Sequence, residues 1–237
     1  MGLSRLRGAR VFLIEPTYGI FLHKSLYFRP MEEALMLYLN KHRLAKGVVL
    51  IVWLYFVCSY LIGSIMFGYI VTKAFYQQDL RKLGSGNVGA RNAGRLHGKK
   101  VFVMTFLGDA LKGTVVVAAA RWVHFSDSFQ LIGLMLALIG HLKPITLKFK
   151  GGKGISTFIG GMITFQPLLS LVIMAVFIIL YPLTKSFTLA GLGAFLFIPV
   201  FLLIRQYDWL TCILAAGILI LILLAHSENI KEKIRHN

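Results

Sequence analysis

From residue 48 onward this chain is a succession of apolar runs, each near the length at which a helix crosses a bilayer, separated by short connections. Nothing else in it restricts the fold so strongly. A helix needs about 20 mostly apolar residues to span the hydrocarbon, and only helices and closed barrels satisfy their own backbone there. The runs lie at 48–72, 101–122, 130–147, 168–184, 187–204 and 209–225. A further run, 155–166, is short and stops before Pro167, so it is either a short span or a re-entrant segment. With 57% hydrophobic residues, 15% charged residues and a mean hydropathy of +0.74, the chain is predicted to be an all-α polytopic membrane protein.

The net charge of +17 falls mainly in three connections. Segment 73–100 carries seven Lys/Arg against one acid, Asp79. Segment 143–153 carries Lys143, Lys148, Lys150 and Lys153 with no acid, and the tail adds Lys231, Lys233 and Arg235. Basic connections stay cytoplasmic. If 155–166 counts as a span, the three follow spans one, three and seven, all odd. That parity predicts seven transmembrane helices, an external N-terminus and a cytoplasmic C-terminus.

Residues 1–46 oppose this, because their eight Lys/Arg would by the same rule stay inside. The extension overrides the rule, or holds a weak extra segment near 11–28, or the true start is Met31 or Met36. Residues 31–45 also fit a basic amphipathic helix on anionic headgroups. The expected organisation is a basic extension, 1–46, and a membrane-embedded domain, 47–237. No cleavable signal peptide is expected. Cys58 and Cys212 lie inside predicted spans and form no CxxC pair, so neither a disulfide nor a metal site is expected.

Two of the basic connections are rich in glycine. GSGNVGARNAGR (84–95) holds four glycines, two asparagines, a serine and two arginines, and KFKGGKG (148–154) interleaves three lysines with three glycines. Glycine lets backbone N–H groups turn toward an anion, and Lys or Arg supplies charge. In the second, Lys148, Lys150 and Lys153 gather at the start of a helix whose N-terminus favours an anion. GSGNVG also matches the dinucleotide fingerprint, but that pattern needs a strand before it, and here a membrane run precedes it. The plainer readings are a flexible loop for the first and an ordinary positive-inside loop for the second. Arg91, Arg95, Asn87 and Asn92 favour anion binding in the first, and the glycines favour it in the second.

A third segment, HSENIKEK (226–233), follows the last run. His226, Glu228 and Asn229 there are a capped helix end unless the fold brings them to the other two loops. Asp109 and Lys112, three apart within the second run, read as an internal ion pair, since charges at membrane depth are costly. His141 reads as a packed, hydrogen-bonded histidine. The chain has no Walker A sequence, no G-x-S-x-G elbow, no HExxH and no His followed five residues later by Asp. Its nine acids make a carboxylate metal cage improbable. Chemistry here must rest on positioning and charge neutralisation.

SGNVGARN with Arg95, GH-x-x-P at 140–144, FKGGKG and HSENI, in that order, resemble the bacterial acyl-phosphate:glycerol-3-phosphate acyltransferases, the PlsY family. GSIMFGY (63–69), DLRKLGSGN and DALKG (109–113) extend the resemblance over about 49–234. It implies seven membrane helices in the bacterial inner membrane, with a cytoplasmic active site. It implies transfer of a fatty acyl group from acyl phosphate to sn-glycerol 3-phosphate, releasing lysophosphatidic acid and phosphate, in phospholipid biosynthesis. By resemblance, Ser85, Arg95, Lys153, His226 and Asn229 contact substrate. Gly84, Gly86, Gly151, Gly152 and Gly154 match the family's backbone phosphate cradle, and Asn87 and Asn92 are read as phosphate-binding beside them. No cofactor, metal or nucleic acid is implied. The partners implied are the two substrates, membrane lipids and a soluble enzyme that makes acyl phosphate. The chain departs from the family pattern at Met66, Arg91, Ala225 and Ser227, where Pro, Thr and two Arg are usual. Two other classes compete: a small anion transporter, which would be expected to carry internal repeats, and a non-catalytic lipid-binding membrane protein.

Overall fold

The computed structural model describes residues 46–228 and 230. The chain divides into two compact units, 1–51 and 52–237. Of the first, the described residues 46–51 belong to helix α1 (Lys46–Gly63). The readings of residues 1–45, of Asn229 and of the tail 231–237 lie outside the described residues.

The apolar runs become helices, and the described residues contain no strand. After α1 come α2 (Phe67–Tyr76), α3 (Ala90–His97), α4 (Lys99–Trp122), α5 (Asp127–Leu142) and α6 (Ile155–Phe165). Then follow α7 (Pro167–Thr184), α8 (Phe187–Phe195), α9 (Phe197–Ile204) and α10 (Trp209–Ala225). Helix starts carry the expected chemistry. Ser126 and Asp208 accept hydrogen bonds from the N–H groups of Phe129 and Thr211, at 3.4 and 3.0 Å, and Pro167 opens α7. Five segments are long and apolar enough to cross a bilayer: Lys46–Gly63, Lys99–Trp122, Asp127–Leu147, Pro167–Thr184 and Phe187–Ile204. Helix α10 is one residue below that length, and α6, at 11 residues, is about 17 Å long, roughly half the hydrocarbon.

Three runs differ from the sequence expectation: in 130–147 the α-helix ends at Leu142, before Pro144 and a short 3-10 turn, Ile145–Leu147. The run 48–72 is not one helix: it breaks after Gly63 and resumes at Phe67. Lys112 Nζ lies 3.1 Å from the Gly63 carbonyl and 2.6 Å from that of Ile65, so an ammonium collects the oxygens that a continuing helix would have used. The run 187–204 divides at Leu196 into α8 and α9.

Lipid has no hydrophobic drive to press helices together, so close approach depends on small residues. Helix α4 packs most closely on α6, where a Cβ on Gly113 would strike the Thr157 backbone and one on Gly160 the Ala110 backbone. Gly63 and Gly140 do the same between α1 and α5, against the backbones of Ala137 and Tyr60. Leu134, Leu138, Phe158, Phe195, Ile218 and Ile222 fill the interior, while Leu107, Leu111, Ile178 and Leu183 face outward.

Hydrogen bonds between connections define two ends of this unit. At one end Arg121 Nη2 donates to the Phe165 carbonyl at 2.8 Å, Gln166 Nε2 to the Tyr207 hydroxyl at 2.8 Å, and Ser128 Oγ to Asp208 at 3.3 Å. Trp122 and Trp209 lie exposed there, as interfacial aromatic residues do. At the other end Tyr60 donates to the Lys143 carbonyl at 2.9 Å, Thr146 to that of Ser64 at 2.8 Å, and Arg91 to Thr188 at 2.9 Å. The glycine-rich loops lie at this second end.

Candidate active site

The first glycine loop is folded on its own asparagines. Asn92, on the first turn of α3, accepts the Ser85 N–H through Oδ1 at 3.0 Å. Its Nδ2 donates to the carbonyls of Leu83, at 3.0 Å, and Asn87, at 2.9 Å. Asn87 Oδ1 accepts the Gly89 N–H at 2.8 Å, and Gly86 N–H donates to Leu83 O at 3.0 Å. Asn92 is buried with its amide oxygen and nitrogen both engaged by the loop backbone, so it closes the loop on itself. Gly86 likewise has its N–H turned to the loop itself. Gly84 and Gly86 are needed for their positive φ, +57° and +70°. What this loop presents outward is the exposed Ser85 and the i, i+4 pair Arg91 and Arg95 on α3.

Arg81 is committed elsewhere. It holds Asp79 through Nη2 at 2.7 Å, donates to Leu147 O at 3.4 Å and lies over the Tyr69 ring. The hydrogen bond from Arg81 brings the Asp79 carboxyl down to about 2. This contact ties the first loop to the second.

The second loop folds back over the end of α5. Gly152 N–H donates to His141 O at 3.0 Å, and Phe149 N–H to Pro144 O at 2.9 Å. A Cβ on Gly151 would strike the His141 carbonyl, and one on Gly152 would overlap the His141 ring at Nε2. These two glycines therefore permit the close approach. Gly154, at φ +82°, N-caps α6 and offers no side-chain cap, so the N-terminal amides of α6 keep their pull on an anion. Half-buried Lys153 sits just before that cap.

The third segment reaches the same place. His226 is the C-cap of α10 and is buried, and its Nδ1–H donates to Ile222 O at 2.9 Å. That bond leaves the Nε2 lone pair as the acceptor of a neutral ring. Burial pushes the pKa of His226 below its ordinary value, and the charges of Lys153 and Arg91 push the same way. Lys153 from the second loop and Arg91 from the first are therefore within electrostatic range of His226. Arg91 is itself pushed down by partial burial and by Arg95.

Lys153 precedes the α6 N-terminus, the charges of Lys153 and Arg91 reach His226, and that of Arg95 reaches Arg91, while Asn229 lies outside the described residues. Thr188, which holds Arg91 from the start of α8, was not legible in the sequence: nothing in the spacing of an apolar run marks it. Asp109 and Lys112 do form a buried ion pair, at 2.9 Å, and His141 is buried and hydrogen-bonded. Among the described residues no cluster of His, Cys, Asp or Glu could hold a metal ion.

Residues 53–236 match the family model of glycerol-3-phosphate acyltransferase. The glycerol-3-phosphate acyltransferase 1 of Bacillus cereus is 48% identical over 176 residues, covering 74% of this chain and 97% of the relative. That of Desulfitobacterium hafniense is 39% identical, covering 73% and 86%. The fold is similar to the crystal structure of PlsY, an integral membrane glycerol 3-phosphate acyltransferase, in its glycerol 3-phosphate form. The TM-score is 0.72 at 32% identity, covering 78% of this chain and 92% of that one. A lysophosphatidic acid form of PlsY gives a TM-score of 0.71 at 30% identity.

Proposed function

We propose, for a chain that belongs to the glycerol-3-phosphate acyltransferase family, that the acyl donor is acyl phosphate and that the three loops at one end form the site. The chain is a multi-pass membrane acyltransferase that acylates glycerol 3-phosphate in phospholipid synthesis. The observation that carries the reading of the site is that the charges of Lys153, just before the uncapped N-terminus of α6, and of Arg91 both reach His226.

Both proposed substrates carry phosphate, which suits a site built from cations and helix amides. An acyl phosphate is a mixed anhydride, so it is already activated and needs no covalent enzyme nucleophile. The glycerol 3-phosphate hydroxyl attacks the acyl carbon, an ester C–O bond forms, and the bond to the phosphate oxygen breaks. The electron pair leaves with phosphate, which also takes the hydroxyl proton. Lys153 and the α6 amides neutralise the charge that grows on phosphate, Arg95 holds the acceptor's phosphate, and neutral His226 accepts a hydrogen bond from a hydroxyl of the acceptor. Ser85 and Asn229 complete the contacts. The acyl chain lies along apolar helix faces open to lipid. The basic loops favour the cytoplasmic side of the inner membrane, with seven crossings counting α6 as one. A soluble enzyme producing acyl phosphate would deliver donor to that side.

Purified protein should convert glycerol 3-phosphate to lysophosphatidic acid with acyl phosphate and not with acyl-CoA or acyl carrier protein. Efficient turnover with acyl-CoA in phosphate-free buffer would sink the choice of donor. Binding without turnover would favour a lipid-binding protein.

A further inference from the structure

Beneath the second loop lies a group of buried polar residues that the transfer itself does not use. Lys112 Nζ, deep in α4, is 2.9 Å from Asp109 Oδ1 and 3.0 Å from His141 Nδ1, besides its contacts with the carbonyls of Gly63 and Ile65. Thr157 Oγ1, in the first turn of α6, lies 3.3 Å from the same His141 nitrogen. Asp109, Lys112, His141 and Thr157 are all buried.

The chemistry of these atoms fixes their direction. An ammonium only donates, so His141 Nδ1 must accept from Lys112, and the ring proton then sits on Nε2. Nε2 is the atom that faces Gly152, where any Cβ would overlap it. The same residue accepts the Gly152 N–H on its backbone carbonyl. One histidine therefore touches the Gly151–Gly152 turn with backbone and ring, and α6 through Thr157. Its ring is held in one orientation by an ammonium, itself anchored by a carboxylate and by two carbonyls at the break after α1.

We propose that Asp109, Lys112 and His141 form a positioning relay that holds the 151–154 turn from below and so sets how well the site binds phosphate. The relay deepens the reading of the site given above and rests on it. None of the three touches substrate. A loop this rich in glycine would otherwise sample many conformations, so a rigid ring under it keeps its N–H groups and Lys153 aimed at one place.

Two measurements separate the relay from a merely structural role. His141→Ala should raise KM for acyl phosphate or glycerol 3-phosphate about tenfold, the loss of about one hydrogen bond's ordering, with Vmax within about threefold. His141→Gln, whose amide N–H reaches the place of Nε2, should recover most of that loss. If His141→Ala does not insert, the pair Asp109→Leu with Lys112→Met removes both charges together and should give the same rise in KM. A fall in Vmax at unchanged KM, or no kinetic change, would overturn the proposal.

The second measurement makes no use of the reaction, so it stands even if the donor or acceptor is other than proposed. In thermal unfolding in detergent, Gly152→Ala should lower the midpoint in the parent, because its methyl strikes the ring. In a His141→Ala background the same change should have almost no effect. Equal effects in the two backgrounds would show that ring and turn are not in contact, and the relay would fall.

Discussion

Lys153→Met should lower the initial rate by about two to three orders of magnitude, the loss seen when one preorganised charge is removed from a developing anion. Methionine keeps the apolar stem, so the half-buried packing beside the α6 cap stays filled. Two effects are removed together: the positive charge before Gly154, and its influence on His226. Lys185 is the natural control. It is exposed in the short connection after α7, and Lys185→Met should be near neutral. Arg95→Lys should also be damaging, because an ammonium cannot reproduce a two-pronged guanidinium contact with phosphate. The rates are to be read at saturating donor across an acceptor titration, with insertion checked separately. Near-normal activity in a correctly inserted Lys153→Met protein would return KFKGGKG to an ordinary positive-inside loop.

Gly113→Leu should give almost no folded protein. The Cβ alone meets the Thr157 carbonyl and the Gly161 nitrogen, both backbone atoms of α6, and backbone cannot rotate away as a side chain can. Overpacking a core costs about 1–3 kcal/mol even where side chains give way, so forcing α4 and α6 apart should cost more. The separation also pulls Thr157 from His141 and shifts the α6 N-terminus that the site depends on. Gly191→Leu is the matching control, because a Cβ there meets nothing within 4 Å. The yield of monodisperse protein in detergent and its unfolding midpoint check both. Equal yields for the two variants would mean that α4 and α6 are not held as closely as described.

Much of this molecule could be read from sequence because lipid imposes few solutions. An apolar run must be a helix, and its ends must be polar, so α4, α7 and α10 begin and end within about two residues of where the runs do. Two details were not legible. The break after Gly63 is set by Lys112, 49 residues away in the chain, and run length carries no trace of it. Likewise α8 and α9 are apolar all round, so no periodicity marks the interruption at Leu196.

The site divides in the same way. Composition pointed to an anion site because charge and glycine coincide in 84–95 and 148–154. It did not show that Asn92 closes the first loop on itself, since an amide reads alike whether it faces a ligand or its own backbone. Nor could it place Thr188 against Arg91, or His141 under Gly152, because these contacts join connections far apart in sequence. Lys112 and His141 each read correctly as buried polar residues; what spacing withheld was that they touch.

The central claim is that the three loops form a single phosphate-binding site, and hydrogen exchange tests it most directly. Purified protein would be exchanged with and without saturating glycerol 3-phosphate, following peptides over 84–95, 151–157 and 222–228. One site predicts slower exchange in all three on addition of glycerol 3-phosphate, and none of it in the opposite-end connection 122–127. Protection confined to one of the three, with the other two unchanged, would contradict the shared site and leave the loops as separate basic surfaces.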